Sequence, residues 1–302
     1  MYYLNTERLR VELADPAELL PLTTRFDPTG FVSEVILDRS VRFCASEPRN
    51  MKSPSSGGRG LCSEFRFDSS GEAEIGGYFP KFGVGLLKKV KDEAFCSYRK
   101  YEYIPFEHVV EQFGETEILF RTLPMPCLGY AAESTRRVIV EGNCIIMEMG
   151  LHNVGERPFT VREYCHNFIS LDGMALGPDY VLTLPGGLHM NQRVLLRPEG
   201  AKLFEISGHT ARPRHGSFTS ASFSLDKGDI SDETPFIWCL HHDSANITVE
   251  GTEFYRPVEM NIWANDHMLC PEINFYGDLR PGEQCTWKRQ WKFDQVSRRG
   301  EF

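Results

Sequence analysis

The chain has 302 residues, of which 41% are hydrophobic and 25% are charged, and its formal net charge is −9. This composition supplies a substantial core and argues against a disordered chain, while negative charge without a basic stripe disfavours nucleic-acid binding. No segment approaches the roughly 20 apolar residues of a membrane helix, and the N-terminus lacks the basic start and apolar core of a signal peptide. We therefore expect no nucleic-acid or membrane partner and a cytoplasmic location.

Taken in chain order, the sequence predicts one strand after another. Residues 31–38 and 40–44 form a predicted hairpin around Asp38–Arg39, and residues 138–149 form another that turns at Gly142–Asn143. A further hairpin is predicted over residues 147–161. Aromatic and β-branched residues also predict strands at 194–196, 202–206, 236–240, 247–249 and 286–293. Short helical turns are expected at most, at 17–20 and 106–110.

No charged block or proline-rich linker divides the chain, and no fixed-period repeat indicates a propeller. The predicted fold class is therefore all-β, as one large antiparallel β-sandwich domain over residues 1–302. The loop at 50–60 is rich in Ser and Gly, and we interpret it as a binding loop or a lid.

The segment 162–173 carries the densest group of polar side chains. Alternation in a strand predicts two faces, with Arg162, Tyr164 and His166 on one and Glu163, Cys165 and Asn167 on the other. Three hydrogen-bonding groups on one face suit a polyhydroxylated ligand and suit a hydrophobic core poorly.

Cysteine and histidine usage gives no sign of a metal site. The nine cysteines are scattered without a CxxC pair, so we expect them reduced and mostly buried. The run His241–His242–Asp243 places neighbouring side chains on opposite faces of a strand, and its spacing offers no third ligand. We expect neither a metal nor a cofactor.

Three segments in order resemble the galactose mutarotase-like (aldose 1-epimerase) superfamily, over about residues 25–295. The first is the Gly-rich turn and strand at 57–65 with 82–87, and the second is the asparagine-containing turn leading into 164–168. The third comprises 262–263, 270–275, 279–283 and Trp287. The resemblance implies a β-supersandwich with a sugar site on its concave face, His166 as the catalytic acid and Glu272 as the base. Where many members carry another histidine in an earlier strand, this chain offers Lys81 and Tyr101.

Anomer interconversion needs an acid at the ring oxygen and a base at the anomeric hydroxyl. A histidine suits the first role because its ordinary pKa lies near working pH, and a carboxylate suits the second. We expect His166 and Glu272 to line one open cleft, about 4–8 Å apart, so that both reach the reacting atoms. The alternatives are a structural histidine bonded to a backbone carbonyl and an edge-strand glutamate in solvent.

The candidate binding residues surround this pair in the sequence. Arg59 and Glu64 flank the Gly-rich turn, where the backbone can approach a ligand, and Arg162 and Tyr164 share the predicted face of His166. Lys81 is a candidate for an acidic or phosphorylated sugar, the alternative being a solvated lysine. Trp263 is a candidate for stacking on a sugar ring, the alternative being a core aromatic.

Three hypotheses follow, and in each the partner is a carbohydrate. The first is an aldose 1-epimerase-like enzyme that acts on a hexose, a hexose derivative or a phosphosugar. The second is a non-catalytic carbohydrate-binding module or sensor on the same fold. The third is lyase or isomerase chemistry on a uronic acid, which an extra arginine or lysine over the substrate carboxylate would favour.

Overall fold

The structure is a computed structural model, and it describes residues 1–20, 22–47, 56–185, 202–215, 221–226 and 234–295. Helical structure within these ranges is limited to α1 (Pro16–Leu19) and one 3-10 turn (Ser70–Glu72). The strands, in chain order, are β1 (Tyr2–Asn5), β2 (Leu9–Leu13), β3 (Val32–Leu37), β4 (Val41–Arg42), β5 (Ser63–Arg66), β6 (Tyr78–Lys81), β7 (Gly85–Lys88), β8 (Tyr103–Pro105), β9 (His108–Phe113), β10 (Glu117–Thr122), β11 (Ala132–Glu141), β12 (Cys144–Asn153), β13 (Phe159–Cys165), β14 (Tyr180–Thr183), β15 (Phe204–Ser207), β16 (Thr210–Pro213), β17 (Ala221–Asp226), β18 (Phe236–His242), β19 (Ile247–Glu253), β20 (Glu259–Asn265), β21 (Met268–Leu279) and β22 (Gln284–Gln295).

The strands build two large antiparallel sheets and two small ones. The ten-stranded sheet has the order β15-β16-β14-β18-β19-β22-β12-β11-β10-β9, and the five-stranded sheet has the order β17-β20-β21-β13-β5. The small sheets are β1-β2-β3-β4 and β6-β7-β8. The predicted all-β antiparallel sandwich is thus confirmed.

Two of the predicted hairpins are confirmed. Strands β3 and β4 meet around Asp38 and Arg39, which both adopt positive φ (47° and 65°) in the turn. Strands β11 and β12 pair over their full length, from Glu141↔Cys144 to Ala132↔Asn153. The predicted strands at 202–206, 236–240, 247–249 and 286–293 correspond to β15, β18, β19 and β22. The predicted strand at 194–196 lies outside the described residues.

Two local predictions are wrong. The segment 147–161 is not a hairpin, because β12 belongs to the ten-stranded sheet while β13 belongs to the five-stranded sheet. The chain crosses between the layers after Asn153, whose side-chain amide donates to the carbonyls of Arg157 and Leu279. The segment 106–110 leads into strand β9 and is not helical.

The two large sheets pack face to face through apolar side chains and one buried group of charges. Val161 and Cys165 of β13 join the main core with Trp291 and Phe293 of β22. The charged group, which we call the inner cluster, comprises Asp27, Arg136, Glu163, Glu253 and Arg289, all buried. Glu163 of β13 accepts from Arg289 of β22 at 2.7 Å and 3.2 Å, so this pair links the two sheets.

Two remaining findings concern the chain as a whole. No helix in the described ranges is long and apolar enough to cross a membrane. All nine cysteines are free: Cys62, Cys165 and Cys270 are buried, Cys96 is exposed, and the other five are half-buried.

Candidate functional site

Strand β13 turns its polar side chains to two different environments. Glu163 faces the ten-stranded sheet, where it also accepts from Trp287 Nε1 at 2.9 Å. Tyr164 faces away from that sheet and pairs in register with Glu64 of β5. This face, which we call the outer face of the five-stranded sheet, also carries Arg162 and His166. The predicted alternation of residues 162–167 is therefore what the fold shows.

His166 and Glu272 meet on the outer face. Nε2 of His166 lies 3.0 Å from Oε1 of Glu272. The side chains come from the end of β13 and from β21, which are neighbours in the sheet. The expected separation of about 4–8 Å and the expected open cleft are wrong, because the groups touch and are only 4% and 5% exposed. The alternative of an edge-strand glutamate in solvent is also wrong, since β21 lies between β20 and β13.

Aromatic rings enclose the His166 imidazole. Phe168 stacks on it with a centroid distance of 3.8 Å and an interplanar angle of 6°. Phe26 and Trp263 approach it edge-on, at 6.0 Å and 5.7 Å, and Tyr164 lies 6.0 Å away. Trp263 is half-buried, so part of its indole remains available beside the imidazole.

Phe168 in turn rests on the backbone of the Gly-rich turn. A Cβ atom at Gly58 would lie 2.1 Å from Cζ of Phe168, which is far inside any permitted contact. Glycine at this position lets the Phe168 ring lie directly on the main chain. This contact sets the distance of the stacked Phe168 and His166 rings from the Gly-rich turn.

A second polar group adjoins the histidine through Tyr164. Glu64 accepts from Tyr164 Oη at 2.6 Å, from Arg25 Nε at 2.8 Å and from Lys81 Nζ at 3.0 Å. Arg25 also donates to Tyr164 Oη at 2.9 Å and to Ser56 Oγ at 2.9 Å. We call Arg25, Glu64, Lys81 and Tyr164 the outer cluster; all four are buried.

The charges of the outer cluster fix its protonation. Burial opposes the charged form of Glu64, but Lys81 and Arg25 outweigh burial and hold the pKa of that carboxyl well below its usual range. Burial lowers the pKa of Lys81, although Glu64 opposes this shift. Burial also raises the pKa of the Tyr164 hydroxyl well above its ordinary value, with Glu64 adding to the effect. At neutral pH the cluster therefore holds an ionised Glu64 and a neutral phenol.

The alternative of a solvated lysine at position 81 is wrong. Lys81 is 2% exposed, and its ammonium group donates to the Phe65 carbonyl at 2.7 Å as well as to Glu64. Tyr101, the other residue in the region where many superfamily members carry histidine, is packed against Phe79 and Phe95.

A cavity of about 370 Å³ opens beside the outer cluster. Its polar lining includes Arg25, Glu64, Arg66, Lys81 and Arg162. The guanidinium of Arg66 lies 4.6 Å from the centroid of the Tyr164 ring. Arg162 is partly exposed and reaches Glu259 of β20 at 2.6 Å. The cavity thus joins three of the sequence-predicted binding residues, Glu64, Lys81 and Arg162.

Of the remaining predicted binding residues, Tyr164 and Trp263 lie beside His166, and Arg59 lies away from it. Arg59 is half-buried and donates from Nε to the Ser33 carbonyl of β3 at 3.0 Å. Among the described residues, no contact links Arg59 to the histidine, to Glu272 or to the cavity.

Three residues of the outer face were missed by the sequence reasoning. Arg66 follows Glu64 by two residues, so alternation along β5 was a usable signal. Asn274 has the same relation to Glu272 on β21. Arg25 lies in irregular chain before β3, where no periodicity exists to place it.

Two buried polar atoms on this face have no hydrogen-bond partner among the described residues. They are Nδ1 of His166 and Oδ1 of Asn274. Buried polar atoms in native proteins are normally paired, so these two atoms are exceptions that lie beside the His166–Glu272 contact. Within the described ranges, no group of three or more His, Cys, Asp or Glu side chains is arranged to hold a metal ion.

Comparisons with known proteins bear on the fold. No protein-family model matches this sequence, and no curated protein matches it. Several solved structures are similar over nearly their whole length. The Slr1438 protein from Synechocystis sp. PCC 6803 has a TM-score of 0.62 at 13% identity, covering 98% of this chain and 96% of its own.

Two further structures carry family names. A galactose mutarotase related enzyme from Lactobacillus acidophilus has a TM-score of 0.60 at 11% identity, with 100% of this chain and 99% of that chain covered. The GalM/aldose epimerase homologue from C. elegans has a TM-score of 0.55 at 11% identity, with 98% and 99% covered. The chain therefore has the galactose mutarotase-like fold, and the resemblance seen in its three sequence segments is confirmed for the fold.

Proposed function

We propose that this protein binds a carbohydrate on the outer face of its five-stranded sheet and interconverts the sugar's anomers. His166 acts as the acid and Glu272 as the base. The observation that carries the proposal is the 3.0 Å contact between these two groups, which approach each other from different strands. An acid and a base held together beside a half-buried indole supply the two proton-transfer partners that ring opening needs.

The proposed reaction begins with the sugar entering between the two groups. The contact between Nε2 and Oε1 is then exchanged for one contact from each group to the sugar. Glu272 takes the proton of the anomeric hydroxyl while His166 protonates the ring oxygen, and the ring C–O bond breaks. The carbonyl group of the open form rotates, and the reverse transfers close the ring with either configuration. Protons and electrons balance without a co-reactant.

The neighbouring side chains support this chemistry by position. Trp263 is half-buried and offers an apolar surface to a sugar ring. The stack with Phe168 restricts rotation of the imidazole. Such restriction favours catalysis because a positioned group reacts without further ordering.

The test is anomer equilibration, followed by polarimetry or exchange NMR over a panel of hexoses, uronates and hexose phosphates. We expect the wild-type protein to accelerate at least one sugar, and His166→Ala and Glu272→Gln each to lower that rate by roughly 100-fold, since each removes one proton-transfer partner. The control is His241→Ala, because His241 lies on β18 of the ten-stranded sheet and contacts Thr248. Full activity of either site variant would contradict the assignment.

A second candidate function is carbohydrate binding without turnover. The specific observation that favours it is the direct contact between His166 and Glu272, which leaves no gap for a sugar's reacting atoms. In that case a sugar would raise the thermal stability of the protein through binding to the native state alone. Stabilisation by a sugar whose anomers equilibrate no faster than in buffer would select this function over the epimerase.

A further inference from the structure

Two arginines lie directly opposite each other on the outer face. Arg66 of β5 and Arg162 of β13 are partners in the antiparallel register. Side chains opposite each other in such a pair have Cβ atoms about 4.5–5.5 Å apart, and like charges there destabilise the sheet. Both arginines also line the 370 Å³ cavity. Arg162 already has an anionic partner in Glu259, so it is Arg66 that needs an anionic neighbour.

The carboxylates of the cavity do not meet this need. Glu64 is already engaged by Arg25, Lys81 and Tyr164. Asp68 is exposed to solvent, where its charge is screened. Among the described residues, no carboxylate forms an ion pair with Arg66. In total the lining has four cations, Arg25, Arg66, Lys81 and Arg162, against the carboxylates of Glu64 and Asp68.

The hydrogen bonds that each cation already makes within the protein show which cations can still bind a ligand. Arg25 uses Nε and both terminal nitrogens on Glu64, Ser56 and Tyr164. Lys81 is held by Glu64 and by the Phe65 carbonyl. Arg162 gives one terminal nitrogen to Glu259 and keeps its other donors. The Arg66 guanidinium lies over the Tyr164 ring and lines the cavity. Arg66 and Arg162 are thus the least committed of the four cations.

We propose that Arg66 and Arg162 bind the charged group of an anionic sugar, a carboxylate or a phosphate, and so determine the substrate class of the proposed epimerase site. Guanidinium groups recognise both anions through paired hydrogen bonds. Arg162 precedes His166 by four residues, which is about 13 Å along a strand. The long arginine side chain shortens this span. In this arrangement the sugar extends from the arginines in the direction of His166, with the buried Tyr164 lying between them.

Tyr164 lies between the proposed anion site and the His166–Glu272 pair. Its ring lies against the Arg66 guanidinium on one side and 6.0 Å from the His166 ring on the other. Its hydroxyl is held by Glu64 and Arg25. The outer cluster therefore holds Tyr164 in place between the two arginines, which line the cavity, and the buried acid–base pair.

The experiment is isothermal titration calorimetry with four probes: glucose 6-phosphate, glucuronate, glucose and inorganic phosphate. We expect one of the two anionic sugars to bind at least about 10-fold more tightly than glucose, as charged hydrogen bonds permit. Whichever anionic sugar binds better identifies the charged group. Arg66→Gln and Arg162→Gln should each remove about 10-fold or more of that affinity, since each removes one charged donor to the anion. Arg66→Lys should recover part of it, because charge remains while the fork is lost.

The matched control is Arg137→Gln. The Arg137 side chain is 44% exposed, as is that of Arg162, and it also pairs with glutamates, but it lies on β11 of the ten-stranded sheet. Its loss should leave all four affinities unchanged. Equal affinity for glucose and the anionic sugars would overturn the inference. Inorganic phosphate binding as tightly as glucose 6-phosphate would also overturn it, because the sugar would then contribute nothing.

This inference rests on the proposed function, yet the two fail differently. If glucose anomers equilibrate faster with the protein but neither anionic sugar is preferred, the epimerase proposal is supported and the anion-site proposal is contradicted. If the binding of an anionic sugar depends on Arg66 but its anomers equilibrate no faster than in buffer, the anion-site proposal is supported and the epimerase proposal is contradicted.

Discussion

The five-stranded sheet has a buried group of charges on each face, and the two groups differ in what surrounds them. The inner cluster lies between the two large sheets, where Arg289 bridges Glu163 and Glu253 at 2.7 Å and 3.3 Å. The outer cluster lies beside a cavity, and its single carboxylate, Glu64, holds both Arg25 and Lys81. Similar residue types thus cross-link two layers on one face and border a candidate ligand site on the other.

The balance of charge differs in the same way. The inner cluster has two guanidinium groups and three carboxylates, and burial raises the pKa of Glu253 despite the opposing effect of Arg289. Whichever form Glu253 takes, the inner cluster has no surplus of positive charge. The outer cluster has two cations and one carboxylate, and Arg66 adds to the excess, whereas Arg162 is paired with Glu259. A balanced cluster is complete within the protein, whereas a cluster with surplus charge of one sign suits a ligand of the opposite sign.

The largest expected effect is on the inner cluster. Arg289→Leu leaves Glu163 and Glu253 buried without their main partner, and breaking a buried pair in this way costs about 3–5 kcal/mol. We expect a loss of that size in the free energy of unfolding from urea titrations. Arg137→Gln, at an exposed pair, should lose no more than about 1 kcal/mol. A similarly small loss for Arg289→Leu would show that the inner cluster does not hold the sheets together.

A smaller effect with a distinct pH dependence is expected at Glu64. Glu64→Gln removes the charge from the hydrogen bonds of Arg25 and Lys81 but keeps an accepting oxygen, so we expect a loss of about 1.5–3 kcal/mol in total. The folded pKa of Glu64 lies below its ordinary value of 4.5. Its contribution to stability is therefore present above about pH 4.5 and is lost as the pH falls towards the folded pKa.

Urea titrations at several acidic pH values check this expectation. The wild-type protein should lose stability more steeply than Glu64→Gln as the pH falls below about 4.5. Glu148→Gln serves as the control, since Glu148 is paired with Arg137 at the exposed surface. Parallel slopes for the wild type and Glu64→Gln would indicate that Glu64 is not held in its charged form by the outer cluster.

The smallest effect is expected at Glu253. Its contribution to the free energy of unfolding should change with pH in the opposite direction from that of Glu64. Because burial raises the folded pKa of Glu253, its contribution to stability is present below the ordinary carboxyl value of 4.5 and is lost as the pH rises through the folded pKa. Glu253→Gln puts a neutral amide of similar shape in place of the acid. We expect its unfolding free energy at neutral pH to differ from wild type by no more than about 1 kcal/mol, because burial disfavours the charge that the substitution removes.

The same urea titrations, extended from about pH 4 to about pH 8, test the sign. Wild-type stability should contain a component that falls across this range, and the Gln variant should lack it. A loss in Glu253→Gln as large as that in Arg289→Leu would mean that Glu253 is charged in the folded protein, and the contrast between balanced and unbalanced clusters would fail.

The sequence predicted the parts of the fold that depend on local pattern. Alternation along β13 placed Tyr164 and Glu163 on opposite faces, and positive-φ turns such as Asp38–Arg39 marked hairpins. The same local logic failed at 147–161, because a turn between two strands does not reveal whether they share a sheet. Here β12 and β13 contribute to different layers, and that choice depends on pairing with β22 and β21, which are far away in sequence.

The candidate site was predicted less completely, for a related reason. Lys81 looked solvated because its partner Glu64 lies 17 residues earlier, on a strand of another sheet. Arg25 lies outside any strand, so no period could assign it a face. The distance between His166 and Glu272 depends on neighbouring strand positions and rotamers, which family resemblance does not determine. The catalytic roles of those two residues remain predictions for the kinetic experiments.

Phe168 packs against the backbone of Gly58 and stacks on His166, so the loop backbone limits where the imidazole can lie. Any side chain at position 58 would displace Phe168, whose face is shared with His166. The tilt of the imidazole is therefore adjustable from a residue outside the acid–base pair. Variation in this loop offers a route by which related proteins could retune an acid–base pair while every polar residue of the outer face stays the same.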